Sequence, residues 1–273
     1  MILCMKVRKQ DLYDMLKFNP AALEFHFSDS DLNLNLDGNF NQRLIVHCYE
    51  YYDRKLLDIV NMEETNQIHS QEKTIELIQK AIDKTVSLNE QFKGKPSIIV
   101  HPGGYSINES SYFQIENMKN KLVDAVKQLD LKNINFLLEN MPPYAWFFGG
   151  RWHSNIFLDS AEIINYCNET GLKICFDLCH SQLYCNKKNL SLISELLKLE
   201  DYIIHYHLSD ARGVDEEGLQ LGEGDLPFDK IIPILNKYND KSFAIEVWKG
   251  HEHGGKGFQE FLGKVMERGL IVK

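Results

Sequence analysis

Six side chains able to ligate a metal or move a proton recur at or near the ends of apolar runs: His47, His101, Glu139, Asp177, His207 and Glu246. The run around Asp177 is the most telling. Leu172, Ile174, Phe176 and Leu178 predict a strand, and alternate strand side chains share a face, so Asp177 should point with Cys175 and Cys179. A lone carboxylate in such a run would be a buried, uncompensated charge unless a cation or a polar partner meets it. Three carboxylates brought together would also raise one another's pKa. A divalent ion resolves both difficulties, and a mixed carboxylate–imidazole donor set suits Zn, Mn, Fe and related ions.

Such residues act together only if the fold gathers them. Strand candidates cover Met1–Val7, Ala22–Phe27, Leu44–Tyr49, Ser97–Pro102, Ile134–Glu139, Cys175–His180, Tyr202–Leu208 and Ser242–Val247. Helical spacing predicts helices near 9–18, 71–92, 112–129, 160–170, 190–199, 228–238 and 257–267. Regular βα alternation implies a parallel sheet, and eight units in this length predict one α/β domain over 1–273, a closed (β/α)8 TIM barrel. A doubly wound open sheet is the alternative, but no G-x-G-x-x-G turn follows the first strand. In a (β/α)8 barrel the C-terminal strand ends share one face, which places all six residues around a single volume.

Composition narrows the partners. The 273 residues are 44% hydrophobic and 25% charged, as in globular proteins with a sizeable core. The formal net charge of −9, without an obvious Lys/Arg cluster, argues against nucleic acid as a partner. No apolar run approaches the roughly 20 residues that span a bilayer, and the N-terminal stretch lacks a signal-peptide pattern. Six scattered cysteines fit reduced thiols, so a cytoplasmic protein is expected.

The segments Val100-His-Pro-Gly103, Leu138-Glu-Asn140, Phe176-Asp-Leu-Cys-His180, His207-Leu-Ser-Asp210, Leu221-Gly-Glu-Gly224 and Ile245-Glu246 occur in this order. As a series they resemble the xylose isomerase-like TIM-barrel superfamily, which includes sugar isomerases, ketose epimerases and endonuclease IV. The resemblance implies a divalent-metal enzyme (Mn, Zn, Mg, Fe or Co, one or two ions per chain) acting on a small sugar or sugar phosphate. By position, Glu139, Asp177, His207 and Glu246 match the epimerase metal site, with Glu139 and Glu246 as the acid/base pair. His180 and Arg212 match positions that hold substrate oxygens. His47 and His101 match the neighbouring metal site of endonuclease IV, which implies phosphoester hydrolysis as the second activity. That nuclease's third metal site needs an Asp-x-His pair, which Val214–Gln220 lacks.

Other signals carry less. Ser28–Gly38 has the acidic spacing of a calcium loop, but Leu44 stands where the twelfth-position Glu belongs, so a solvated loop is expected. His205 reads as a hydrogen-bonded core histidine, and Cys179 lacks a base to make it a nucleophile. Tyr144, Trp146, Phe147, Phe148 and Trp152 form an aromatic loop that could roof a pocket, cover the barrel end or join a homodimer.

Overall fold

The computed structural model of the chain describes residues 1–61 and 65–273. Eight parallel strands close into a barrel: β1 (Ile2–Val7), β2 (Ala22–His26), β3 (Arg43–His47), β4 (Lys93–Val100), β5 (Asn135–Glu139), β6 (Lys173–Asp177), β7 (Ile203–Leu208) and β8 (Ser242–Ile245), which pairs with β1. Around them lie α1 (Leu12–Leu16), α2 (Gln71–Leu88), α3 (Tyr112–Val126), α4 (Ser160–Thr170), α5 (Leu178–Lys188), α6 (Leu192–Leu199), α7 (Phe228–Leu235) and α8 (Glu252–Glu267). Caps set several helix starts: Asp159 accepts the Glu162 N–H at 2.9 Å, and Ser70 accepts that of Lys73 at 3.3 Å. No helix among the described residues is long and apolar enough to cross a membrane. All six cysteines are buried and free.

The outer face of the barrel meets the helices in one continuous apolar core that includes Leu77, Ile82, Ile98, Phe136 and Phe176. Inside, the pleat produces two storeys. The lower is a small apolar plug of Cys4, Ala22, Ile45, Ile99, Leu137, Cys175 and Ala244. Two residues further along each of those strands stands an ionisable side chain: Lys6, Glu24, His47, His101, Glu139, Asp177 and Glu246. On β7 the step runs from His205 to His207, so all eight strands contribute to the upper storey.

Several elements depart from the sequence expectation. The strand through Asp177 stops there, because Asp177 Oδ1 accepts the His180 N–H at 2.7 Å and caps α5, which begins at once. Cys179 therefore lies on a helix rather than on the strand face of Asp177. The aromatic stretch is an antiparallel hairpin, Tyr144–Phe147 with Gly150–Ser154, extended by Tyr105–Ser106. A second hairpin, Asp210–Arg212 with Glu216–Leu219, follows β7. Between β2 and β3, where a polar loop is expected, the chain forms a 3-10 turn, Asp29–Asn33, with no α-helix.

Three polar residues hold the rim. Asp210 accepts the N–H groups of Ala211 and Leu226 on Oδ1 and those of Gly222 and Gly224 on Oδ2, at 2.9–3.1 Å. Gly224 passes so close that a Cβ there would lie 2.2 Å from the Ala211 carbonyl oxygen. Asp58 likewise takes the N–H groups of Val60, Gly104 and Tyr105. Asn140 both accepts the Asp177 N–H (2.7 Å) and donates to the Asp177 carbonyl (3.0 Å). The ordered short motifs thus pair candidate ligands with buttresses, Glu139 with Asn140 and His207 with Asp210. Asp210→Ala strands four N–H groups and should cost roughly 3 kcal/mol or more in urea unfolding. Asp210→Asn should cost less. A change within about 0.5 kcal/mol for the alanine variant would show that the cradle contributes nothing.

Candidate metal centre

Asp177, Glu139 and Glu246 converge on one ring atom of His207. The Nδ1 of His207 lies 3.0 Å from Glu139 Oε1, 3.1 Å from Glu246 Oε2 and 3.9 Å from Asp177 Oδ2. One ligand atom from each of the four lies within 4.8 Å of all the others. The arrangement is buried, since Glu139 and His207 are fully shielded and Asp177 nearly so, while the Glu246 side chain is 17% exposed.

The other edge of His207 decides its chemistry. Its Nε2 lies 3.1 Å from Glu24 Oε2, and the same oxygen lies 2.9 Å from His205 Nε2. An ionised carboxylate only accepts, so both Nε2 atoms carry hydrogen. In the neutral ring the lone pair of His207 therefore sits on Nδ1, facing three carboxylates. His205 turns its Nδ1 to the Ser242 hydroxyl at 2.7 Å, which satisfies it as the expected core histidine. Burial works against a charged His207, but Cys175 and the carboxylates of Glu24 and Glu139 outweigh it and hold the imidazole well above its ordinary value. Because burial also pushes the Cys175 thiol to about 12, the charged partners here are the carboxylates. A positive charge is required at Nδ1, supplied either by a proton or by a metal.

A second donor set shares Glu139. His47 Nε2 lies 3.2 Å and His101 Nε2 3.4 Å from Glu139 Oε2, the oxygen not used toward His207. These three ligand atoms also fall within 4.8 Å of one another. His47 Nδ1–H donates to the Cys48 carbonyl at 3.0 Å, so its Nε2 lone pair is free for an ion. Burial would raise the Glu139 carboxyl, yet the surrounding His207, His101 and His47 hold it well below the usual range. Asp177 goes the other way, raised by burial and by neighbouring Glu139. Both donor sets fit divalent ions by chemistry: three carboxylates with one imidazole, and two imidazoles with one carboxylate.

The two expected substrate-holding residues part company. His180 lines the cavity, donates Nδ1–H to the Asn140 carbonyl at 2.9 Å and turns Nε2 toward Glu217 at 3.7 Å. Arg212 does not join it. Its exposed guanidinium pairs with Glu216 at 2.6 Å in the hairpin after β7, outside the cavity lining, because that hairpin closes on itself by an i,i+4 ion pair.

Four residues missing from the sequence expectation belong to the site. Lys6 forms an ion pair with Glu246 and lies 3.5 Å from Glu24 Oε1. Glu50 Oε1 stands 3.4 Å from His101 Nδ1, and Glu217, raised by burial, faces His180. Glu24 and Lys6 had a legible signal, since each interrupts an apolar strand as Asp177 does. The cavity above the upper storey has a volume of about 310 Å³ and is also lined by Arg8, His26 and Lys249.

Among known proteins, a family model described as a xylose isomerase-like TIM barrel matches residues 34–264. An uncharacterized protein of Methanocaldococcus jannaschii is 28% identical over 166 residues, which is 60% of this chain and 53% of that protein. The chain thus matches about half the length of that relative. Of solved structures, a D-tagatose 3-epimerase-like protein superposes with a TM-score of 0.66 at 21% identity, covering 98% of this chain and 99% of that one. Endonuclease IV from Thermus thermophilus gives 0.64 at 14% identity, covering 98% and 100%. With more than half the chain inside the family match and the barrel closed as that fold requires, this protein belongs to the xylose isomerase-like TIM-barrel family.

Proposed function

We propose that this protein is a divalent-metal-dependent isomerase or epimerase of a sugar or sugar phosphate, working by proton transfer through an enediolate. One observation carries the proposal: the Nδ1 edge of His207 faces Glu139, Asp177 and Glu246, and one ligand atom from each of the four lies within 4.8 Å of the others. Asp177, His207, Glu139 and Glu246 would hold the ion. When bound, it supplies polarisation of the substrate carbonyl and its neighbouring hydroxyl, which acidifies the intervening C–H.

The protein's own groups do the rest. Glu139 and Glu246 enter from β5 and β8, three strands apart around the barrel, so they can address opposite faces of a flat enediolate. One takes the carbon-bound proton and the other returns one. Lys6 at Glu246 steadies that carboxylate and balances its charge. His180 reaches into the cavity with Nε2, where it can hold a substrate oxygen and stabilise developing negative charge.

A second reading, phosphoester hydrolysis of the endonuclease IV kind, draws on the His47–His101–Glu139 set. Paired ions sharing Glu139 would suit in-line displacement. The acidic balance of the chain and the lack of an Asp-x-His pair after β7 weigh against DNA as its substrate.

Elemental analysis of the purified protein and a sugar panel in D2O separate the two. One ion per chain, ketose interconversion and solvent deuterium at the carbon beside the carbonyl support isomerisation. Two or more zinc ions with cleavage of an abasic duplex would reverse the ranking. Glu246→Gln should lower kcat by about 10²–10⁴ while leaving the far-UV spectrum unchanged. Full retention of turnover would remove Glu246 from the chemistry.

Glu24 is the buried partner that fixes the His207 tautomer, and partners of that kind usually set metal affinity. Glu24→Gln should weaken manganese binding about 10–100-fold in chelator-competition titrations, with Glu24→Asp in between. Wild-type affinity in both variants would mean that the Glu24–His207 contact does not govern the donor atom.

A further inference from the structure

The cavity above the upper storey is electrically divided. Glu50 and Glu217 stand beside His101 and His180 on one side. Lys6, Arg8, His26 and Lys249 come from the ends of β1 and β2 and the loop after β8. Lys6 is already committed to Glu246 and Glu24. Arg8 and Lys249 are not: among the described residues neither side chain has an ion-pair or hydrogen-bond partner. The nearest carboxylate in sequence, Asp11, spends Oδ1 on the Arg8 backbone N–H at 2.6 Å and feels the Arg8 charge without forming an ion pair with it. His26 adds a ring Nδ1 that is buried and unpartnered.

We propose that this wall is an oxyanion subsite, so that the substrate of the proposed isomerase carries a phosphate or carboxylate group gripped by Arg8 and Lys249. The inference rests on that reading for the rest of the ligand. The planar Arg8 guanidinium can take two oxygens of such a group at once, and Lys249 adds a point charge from the facing loop. Lys249 belongs to the loop after β8, in the sector of (β/α)8 barrels that commonly holds phosphate. A cavity of about 310 Å³ accommodates a pentose or hexose bearing one such group. The anion then lies at the end of the substrate away from Glu50 and Glu217, whose charges would repel it.

The test uses manganese-loaded protein with Arg8→Ala, Lys249→Ala and the double variant; Lys6 is left intact because it touches Glu246. Inorganic phosphate is the first probe, by equilibrium dialysis. Wild type should retain it, and each single variant should bind it about tenfold or more weakly. Next come matched pairs, D-ribulose 5-phosphate against D-ribulose and D-glucuronate against D-glucose, compared by kcat/KM or by inhibition. Preference for the charged member of one pair, reduced about tenfold in the variants, supports the subsite, and the favoured pair identifies phosphate or carboxylate. Phosphate retention equal in wild type and double variant, or turnover of neutral sugars with no preference for charged ones, overturns the subsite while leaving isomerisation standing. Phosphate binding that depends on Arg8 and Lys249, with no sugar of either pair converted, supports the subsite and sinks the isomerase reading instead.

Discussion

The contact between Glu24 Oε2 and His207 Nε2, 3.1 Å long and wholly buried, is the constraint on which the centre turns. By taking the hydrogen on one nitrogen it directs the other toward Glu139, Glu246 and Asp177. A water-exposed histidine could exchange tautomers freely, and the carboxylates could then turn away. Here neither escape exists, because the plug of Cys4, Ala22 and Ile45 closes the barrel beneath and the strand backbones fix every Cβ above it. Burial makes each charge expensive alone and strongly coupled to its neighbours.

That coupling explains why the rim needs rigid supports. A shift of an ångström in one strand end would lengthen contacts that now lie between 3.0 and 3.4 Å. Asp58, Asn140 and Asp210 prevent such shifts by saturating backbone groups beyond β4, at the end of β6 and beyond β7 respectively. Asn140 does this most directly, since it clasps both backbone groups of Asp177 while its own carbonyl accepts from His180.

Much of this could be read from the chain alone, and the failures have physical causes. Apolar strands alternating with helices announced the barrel, and polar residues at or near the strand ends announced His47, Glu139, Asp177 and His207. Lys6 on β1 and Glu24 on β2 are harder to read, because a lysine or glutamate in a short apolar run also suits a solvent-facing position. Helix α5 was hidden because its opening residues, Leu178 and Cys179, continue the apolar character of β6, and only the capping role of Asp177 separates the two. Glu217 was invisible for a different reason. It depends on a hairpin folding back over the mouth, and nothing local in Val214–Gln220 distinguishes it from Glu216, which points outward to Arg212.

The division of labour within Glu139 ties these layers together. Its Oε1 serves the carboxylate-rich set around His207, and its Oε2 serves the imidazole pair His47 and His101. A carboxylate held by three histidines stays ionised despite complete burial. It could therefore serve both donor sets, its Oε2 restrained by His47 and His101. The fold thus joins both donor sets through one residue, beneath a single cavity. With cationic side chains from β1 and the loop after β8 on one side and Glu50 and Glu217 on the other, admission to that cavity is governed by charge as well as by size.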